Sequence, residues 1–362
     1  MVRVGLVLGA GGAVGHAFHA ATLSALAEVS GWDARTADIL VGTSAGSVVA
    51  AMLRAGAAPT DLYSRAVGEP MSPAGESLFA GVSWPTLGPK DAVGARRLTP
   101  VGNPGTVLFQ WLLRPGRVSA GAVAASALPP GRIPNDHVRD GIRHLYRDRE
   151  GAWPERPVWI SAVRVSDGAR VVFGRGAADA PAATRPPAAA RPPGAADPRA
   201  PGPAARRPTG GHAAPAPATD IGTAVAASCA IPGYYRPVRI GGHDHVDGGV
   251  HSALNADLLD GQRLDLVLVR SPMTAQVRLP ARPDLAVRAA LGAQLEREVG
   301  LLRRRGTPVV VFEPGPAELE AMGQNPLDPE RRAPVARQVL ASTRRALEEE
   351  GLAAALRPLR AG

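Results

Sequence analysis

A serine between two glycines is the first residue of this chain whose surroundings suggest chemistry. Ser44 lies in the segment Gly42-Thr43-Ser44-Ala45-Gly46, between the mainly apolar runs 38–41 and 47–53. A strand, a sharp turn and a helix would hold its hydroxyl on a strained elbow, where small neighbours let the two backbones approach. This pattern favours a nucleophilic serine in acyl transfer, although a serine that only caps the following helix would have the same local sequence.

A glycine-rich turn follows the first apolar run of the chain. It comprises Gly9-Ala10-Gly11-Gly12-Ala13-Val14-Gly15 and precedes a helical pattern. Backbone N–H groups at a helix N-terminus bind anions, and the tetrahedral oxyanion of acyl transfer is such an anion. Gly11, Gly12 and Ala13 are the candidate donors. A dinucleotide site would need a third glycine where Val14 stands and an acidic residue after the second strand, so we expect no cofactor.

Asp247 is the best candidate for the base that a nucleophilic serine needs. It ends a predicted hairpin strand and precedes Gly248 and Gly249, which allow the backbone to approach closely and leave the carboxylate free. A Ser-His-Asp triad fits less well, because the one histidine after this aspartate, His251, is only four residues away.

Other histidines leave weaker alternatives open. His16 and His19 follow the glycine-rich turn one helical turn apart, where either could line a pocket. His243 and His245 would lie on one side of a strand and could hold zinc, but no third ligand is evident, so we expect no metal.

The composition excludes several classes of protein. The formal net charge is +9 and the pI is about 10.8, yet the basic residues are not interleaved with aromatic ones as in a nucleic-acid surface. We therefore expect no nucleic-acid partner, while contact with an anionic membrane stays open. Cys229 is the single cysteine, and neither a signal peptide nor an apolar run of membrane-spanning length is present. The sequence favours a cytoplasmic protein.

The periodicity of the chain predicts strands that alternate with helices, which implies an α/β fold with a largely parallel sheet. The predicted strands are 2–8, 38–41, 158–165, 170–173, 238–240, 243–246, 263–269 and 308–312. The predicted helices are 16–29, 45–55, 60–67, 135–149 with Asn135 as its N-cap, 221–230, 283–304 and 329–349.

Two segments lack such a pattern. Residues 68–116 are rich in Pro, Gly, Trp and Leu and could form a lid, an acyl-binding wall or an irregular segment packed on the core. In 177–218, 28 of 42 residues are Ala or Pro, which predicts a disordered insertion. We expect one domain over 1–362, with this insertion and an α/β extension from about residue 271.

Together, the glycine-rich turn, the serine elbow and Asp247-Gly248-Gly249, preceded by 227–233, resemble the patatin-like phospholipase family in order and context. The resemblance implies a three-layer α/β/α fold and a Ser-Asp dyad, with Ser44 as nucleophile, Asp247 as general base and the glycine-rich turn as oxyanion hole. It also implies acyl esters of lipids as substrates.

Two residues depart from the family pattern. Ala10 stands where the family's glycine triplet begins, and Val14 replaces a basic residue near its end. The backbone donors survive both changes, but any anion-orienting role of the basic side chain is lost. A non-catalytic protein that binds lipid or a partner through the same fold is therefore the alternative.

Overall fold

The computed structural model describes residues 2–82, 104–113, 118–148, 153–176, 212–276 and 283–360. The strands in this part are β1 (Val4–Leu8), β2 (Ile39–Gly42), β3 (Val158–Arg164), β4 (Arg170–Phe173), β5 (Val238–Ile240), β6 (His243–Asp247), β7 (Leu266–Arg270) and β8 (Val309–Phe312). The α-helices are α1 (Gly12–Ser30), α2 (Ala45–Ala55), α3 (Pro59–Val67), α4 (Pro73–Phe79), α5 (Pro104–Leu113), α6 (Ala120–Ser126), α7 (Asp136–Leu145), α8 (Ile221–Ser228), α9 (Pro283–Arg304), α10 (Pro316–Met322), α11 (Arg332–Glu348), α12 (Glu350–Ala355) and α13 (Arg357–Arg360).

All of these strands belong to one sheet. Its order is β5-β6-β3-β2-β1-β7-β8, with β4 also paired to β3. The strands from β3 to β8 along this order are parallel, whereas β4, β5 and β6 are antiparallel to their neighbours. The largely parallel sheet predicted from the sequence is confirmed.

Helices cover both faces of the sheet, because successive strand side chains point to opposite sides. Leu6 and Leu8 pack into one apolar cluster with α1, α2, α8 and α11. Val7 packs into a second cluster on the other face, together with α9. The three-layer α/β/α architecture is therefore confirmed.

The pairing of β3 explains how distant parts of the chain meet. Ile160 pairs with Gly42 of β2 and with β4, while Ala162 pairs with Asp247 of β6 and again with β4. Since a strand has only two edges, β2 and β6 share one edge of β3 and β4 takes the other. β2 and β6 run in opposite directions, so their carboxyl ends converge on this shared edge.

Some elements differ from the sequence-based prediction. Helix α1 begins at Gly12 rather than His16, so the glycine-rich turn forms its first turn. The described parts of the segment 68–116 contain the helices α4 and α5, of which α4 buries Phe79 in the core. The helical period of α5 is hard to recognise in the sequence, because its exposed side is apolar as well. Val107 is buried, whereas Leu108, Phe109, Trp111 and Leu112 are exposed.

Most of the predicted insertion, 177–211, lies outside the described residues. Its last seven residues, 212–218, are described, and the backbone N–H of Ala214 donates to the Arg170 carbonyl at 2.7 Å. This short stretch therefore has a defined place beside β4, although it was included in the segment predicted to be disordered. Within the described ranges, none of the helices has the length and apolarity needed to cross a bilayer.

Candidate active site

Ser44 has the backbone conformation that a serine elbow requires. Its φ of 53° and ψ of −122° place a non-glycine residue in a strained region that costs roughly 1–3 kcal/mol. A Cβ at position 46 would overlap the carbonyl oxygen of Leu8, and one at position 42 would lie 2.6 Å from Cα of Ser47. Gly42 and Gly46 therefore allow the turn between β2 and α2 to close.

The Ser44 hydroxyl is not used to cap α2. No side-chain cap hydrogen bond is made at this N-terminus, which contradicts the helix-capping alternative. The backbone N–H of Ser44 donates to Oγ of Ser228 at 2.9 Å, and the Ser44 carbonyl accepts from Oγ of Ser47 at 2.6 Å. The backbone of the elbow is thus fixed from two sides, and its hydroxyl is near enough to the carboxylate of Asp247 to lower the pKa of that group.

Asp247 is buried at the end of β6, with only 5% of its surface exposed. Its carboxylate accepts the backbone N–H of Gly249 at 2.7 Å through Oδ1. Burial raises the pKa of Asp247 to about 6, and the nearby Ser44 hydroxyl and the Gly249 N–H partly oppose this increase. A carboxylate of this kind is ionised at neutral pH and is basic enough to accept a proton.

Backbone hydrogen bonds fix the start of the glycine-rich turn and do not use the N–H groups that follow. The N–H groups of Gly9 and Ala10 donate to the carbonyls of Arg270 and Ala253 at 3.0 and 2.7 Å. The Gly9 carbonyl lies 2.8 Å from Nε2 of His19. Among the described residues, the next three N–H groups, those of Gly11, Gly12 and Ala13, have no acceptor. They lie at the N-terminus of α1, where the helix dipole favours an anion.

The other motif glycines are sites of close packing. A Cβ at Gly9 would lie 2.8 Å from Cδ2 of Leu254, and one at Gly15 would lie 3.3 Å from Cγ of Pro272. At Gly248 it would overlap the Ser161 carbonyl oxygen of β3. At Gly249 it would come within 3.0 Å of Oδ1 of Asp247, the oxygen that the Gly249 N–H already contacts.

A cavity of about 380 Å³ opens in front of Ser44, which is within the usual range for small-molecule sites. Gly12 and Ala13 also line it, whereas Gly11 is buried and does not. The remaining lining residues are His16, Ala45, Val48, Met52, Arg65, Asn135, Val138, Cys229, Ile231, Tyr234, Tyr235, Leu327, Pro329 and Arg332. Polar and apolar atoms contribute to the wall to similar extents, and the polar part includes two arginines.

Asn135 illustrates a local prediction that held only in part. It is the N-cap residue of α7, but its side chain makes no cap hydrogen bond. Instead, Nδ2 donates to the Ala226 carbonyl at 2.6 Å and links α7 to α8 behind the cavity. The sequence located the helix start but not the partner of this side chain.

A buried carboxylate behind the site was not found from the sequence. Glu298 of α9 accepts the Ser252 hydroxyl at 2.5 Å and the Ala256 N–H at 2.7 Å. Between these residues, Asn255 donates through Nδ2 to Oγ1 of Thr43 at 3.0 Å, so the network reaches the serine elbow. Burial raises the pKa of Glu298 to about 7. Only the folded chain brings α9 against the loop after Asp247.

Of the histidine alternatives, the one that His16 lines a pocket agrees with its place in the cavity wall, whereas a Ser-His-Asp triad and a zinc site receive no support from the geometry. Burial lowers the pKa of His251 to about 3, and its Nδ1 has no hydrogen-bond partner in the described parts of the chain. Nδ1 of His245 faces the His243 carbonyl at 3.0 Å. In the same parts of the chain, no three His, Cys, Asp or Glu side chains are grouped as a metal site would need.

Comparison with known families gives this geometry a context. The sequence profile described as patatin-like phospholipase matches residues 6–260, which include the glycine-rich turn, the serine elbow and Asp247. The chain belongs to the patatin-like phospholipase family. Membership in this family supports lipid acyl hydrolase activity in general. The match ends before β7, so the patatin-like region is followed by β7, β8 and helices α9 to α13.

Among solved structures, this patatin-like chain is similar to the crystal structure of VipD from Legionella pneumophila. The sequence identity is 12% and the TM-score is 0.39, over 96% of this chain and 67% of that one. No curated protein matches the chain.

Proposed function

We propose that this protein hydrolyses carboxylic esters of lipids, with Ser44 as the nucleophile and Asp247 as the general base. The observation that carries this proposal is the Ser44 hydroxyl near the buried Asp247 carboxylate, beside backbone N–H groups that lack an acceptor among the described residues. A phospholipase A-like or esterase-like cleavage is the reaction that fits this arrangement.

In the first half of the reaction, Asp247 accepts the proton of the Ser44 hydroxyl while Oγ forms a bond to the ester carbonyl carbon. The carbonyl oxygen becomes an oxyanion, for which Gly12 and Ala13 offer N–H donors at the cavity wall and Gly11 a third one behind them. Each donor in such a site contributes roughly 3 kcal/mol to the transition state. The ester C–O bond then breaks, and the leaving alcohol takes the proton from Asp247.

In the second half, water replaces the alcohol. Asp247 accepts a proton from this water as its oxygen attacks the acyl group on Ser44. When the acyl–serine bond breaks, Ser44 regains its proton from Asp247 and the carboxylic acid is released. The net reaction consumes one water per ester, and neither a metal nor a cofactor takes part in the proposed steps.

We also propose that α5 touches an anionic membrane surface. Its exposed side chains include Phe109 and Trp111, the types that insert at a bilayer interface. Helix α5 packs on α6, and the N-cap residue of α6 is Ser119. The hydroxyl of Ser119 donates to the carbonyl of Val250 at 2.6 Å, three residues after Asp247. These contacts connect α5 to the loop that follows Asp247. The net charge of +9 would favour anionic lipid.

Vesicle sedimentation tests this surface. We expect a larger fraction of the protein to sediment with phosphatidylglycerol vesicles than with phosphatidylcholine vesicles. A Phe109→Ser/Leu112→Ser variant should sediment less with both. Leu128→Ser is the matched control, since Leu128 is as exposed as Leu108 but lies outside α5. Equal retention of the double variant and wild type would reject α5 as the contact.

A fluorophosphonate probe tests the catalytic proposal. We expect covalent labelling of wild type and of the control Ser342→Ala, whose hydroxyl bonds only within α11, and no labelling of Ser44→Ala. Turnover of a 4-nitrophenyl ester should follow the same pattern. If wild type stays unlabelled where a known esterase is labelled, the protein is a non-catalytic lipid- or partner-binding member of the family, the alternative that Val14 favours.

A further inference from the structure

Two arginines from different helices face the cavity of Ser44. Arg65 comes from α3, and Arg332 is the first residue of α11; both are half-buried and line the cavity wall. Arg332 lies beyond the region 6–260 that matches the family profile, so this part of the wall comes from the C-terminal extension. The extension is also fixed to the glycine-rich turn, because the Val14 N–H donates to the Pro326 carbonyl at 3.2 Å.

Neither arginine has a carboxylate partner in the described parts of the chain. Arg65 donates to the Val82 carbonyl at 3.3 Å and lies over the Phe79 ring at 4.7 Å. The side chain of Arg332 makes no hydrogen bond or ion pair with any described residue, whereas its neighbour Arg331 pairs with Asp328 at 3.4 Å. A guanidinium that lines a cavity without an acid can bind an anionic ligand there.

The positive charges also act on one another. Burial lowers the pKa of Arg65, and the nearby charge of Arg332 lowers it further, against a smaller opposite effect of Glu76. Burial and these two arginines lower the pKa of His16, on the same cavity wall, to about 3. Like charges that converge in a half-buried site destabilise it, and an anion bound between them would remove this repulsion.

We propose that Arg65 and Arg332 form a subsite for an anionic oxygen group carried by the ester substrate, and that they select such esters over neutral ones. This inference rests on the proposed ester hydrolysis and adds the charge of the substrate to it. The anionic group is either a phosphate on the alcohol part or a carboxylate at the far end of the acyl chain, since a guanidinium binds both in the same way.

Two matched pairs of soluble esters test the subsite. One pair is 4-nitrophenyl hexanoate and mono-4-nitrophenyl adipate, which share a six-carbon acyl chain and differ by a carboxylate. The other pair is dihexanoylglycerol and dihexanoylphosphatidic acid, which differ by a phosphate. The readout is the ratio of kcat/KM for the anionic ester to that for the neutral ester. A preference in the first pair identifies the acyl carboxylate, and one in the second identifies the headgroup phosphate.

We expect wild type to prefer the anionic member of at least one pair, and Arg332→Gln and Arg65→Gln each to lower that ratio about tenfold, the effect of losing one charge-assisted hydrogen bond. Arg332→Lys keeps the charge and should retain part of the preference. Arg337→Gln is the matched control, because it removes the same charge from an exposed position of α11 near Glu69. A ratio unchanged in both arginine variants, or a wild-type preference for the neutral esters, would overturn the subsite.

A binding measurement separates this inference from the proposed reaction. We expect Ser44→Ala protein to bind dihexanoylphosphatidic acid more tightly than dihexanoylglycerol, and the additional change Arg332→Gln to reduce the ratio of the two Kd values about tenfold. If wild type hydrolyses none of the four esters, ester hydrolysis fails, and the difference in Kd alone then decides the subsite. Equal Kd values for the two lipids, together with equal turnover of the ester pairs, would reject it.

Discussion

Two buried carboxylates, Asp247 at the end of β6 and Glu298 on α9, lie in different electrostatic surroundings. Both are almost inaccessible to water, and burial raises the pKa of each. Glu298 accepts a 2.5 Å bond from Ser252 and a backbone N–H, and it holds the loop of residues 252–256 in place. Among the described residues, Asp247 has a single backbone donor, and the hydroxyl of Ser44 lies near it.

Under the proposed function, one of these buried acids serves structure and the other serves chemistry. Glu298 has fixed donors on both oxygens, so moving its proton would break the contacts that orient the loop. Asp247 faces a residue that can give up its proton, and its pKa of about 6 is close to that of a general base at neutral pH. The two carboxylates are alike in burial and in the direction of their pKa shifts, and they differ in the residues that contact them.

The largest expected effect is on turnover in Asp247→Asn. Asparagine keeps the shape of the side chain and can still accept the Gly249 N–H, but it cannot take the Ser44 proton. We expect kcat/KM for a 4-nitrophenyl ester to fall about 10³-fold, within the range for loss of a general base. Far-UV circular dichroism should match wild type. Substantial activity in this variant would place the base elsewhere and remove the contrast with Glu298.

Glu298→Ala should act mainly on stability. It leaves the Ser252 hydroxyl and the Ala256 N–H without an acceptor in the core and opens a small cavity behind the loop. We expect the free energy of unfolding to fall by about 2–4 kcal/mol, measured by urea denaturation. The fraction that remains folded should still be labelled by a fluorophosphonate. A stable variant without labelling would instead assign Glu298 to the chemistry.

Asp247→Asn should raise the free energy of unfolding, whereas Glu298→Ala should lower it. The pKa of Asp247 is raised from 3.8 to about 6 on folding, so between these values the folded state binds more protons than the unfolded state. The free energy of unfolding contributed by this group therefore falls as the pH rises through this window, by at most on the order of 3 kcal/mol. We expect asparagine to stabilise the protein more at pH 8 than at pH 5. An equal gain at both values would mean that another group titrates.

The smallest effect concerns the pH profile. If Asp247 must be ionised to act, kcat/KM should decline below about pH 6 and fall roughly tenfold per unit further down. The pH profile of kcat/KM for the folded fraction of Glu298→Ala should show the same inflection. This variant lacks the Glu298 carboxyl, whose pKa is about 7, but it keeps Asp247 as the base. An inflection that moves in Glu298→Ala would show that the two acids titrate together.

Local sequence patterns were sufficient where a glycine or a strong period marks the boundary. The predicted ranges of α2 and α9 coincide with the observed ones. Asp247 and the elbow lie where their neighbouring glycines suggested, because a side chain at Gly46 or Gly248 would overlap another strand. Their meeting through one edge of β3 follows from tertiary pairing, which the sequence alone does not give.

Other features depended on contacts between distant elements. Glu298 was one of several charges on a long helix, and nothing near it in the sequence marks it as buried. Arg65 and Arg332 are 267 positions apart and come together only because α3 and α11 both pack beside α1. The exposed side of α5 masked its period, since apolar residues occupy both sides of that helix.

The shared edge of β3 has a consequence for the continuity of the chain. Fragments 1–176 and 212–362 divide the two strand ends between them, since Ser44 and β3 lie in the first and Asp247 in the second. Under the proposed chemistry, neither piece could hydrolyse an ester alone, and co-expressed pieces would regain turnover only by adding β6 to β3. Cleavage of the chain within 177–211 would thus make ester turnover a measure of the pairing between β6 and β3.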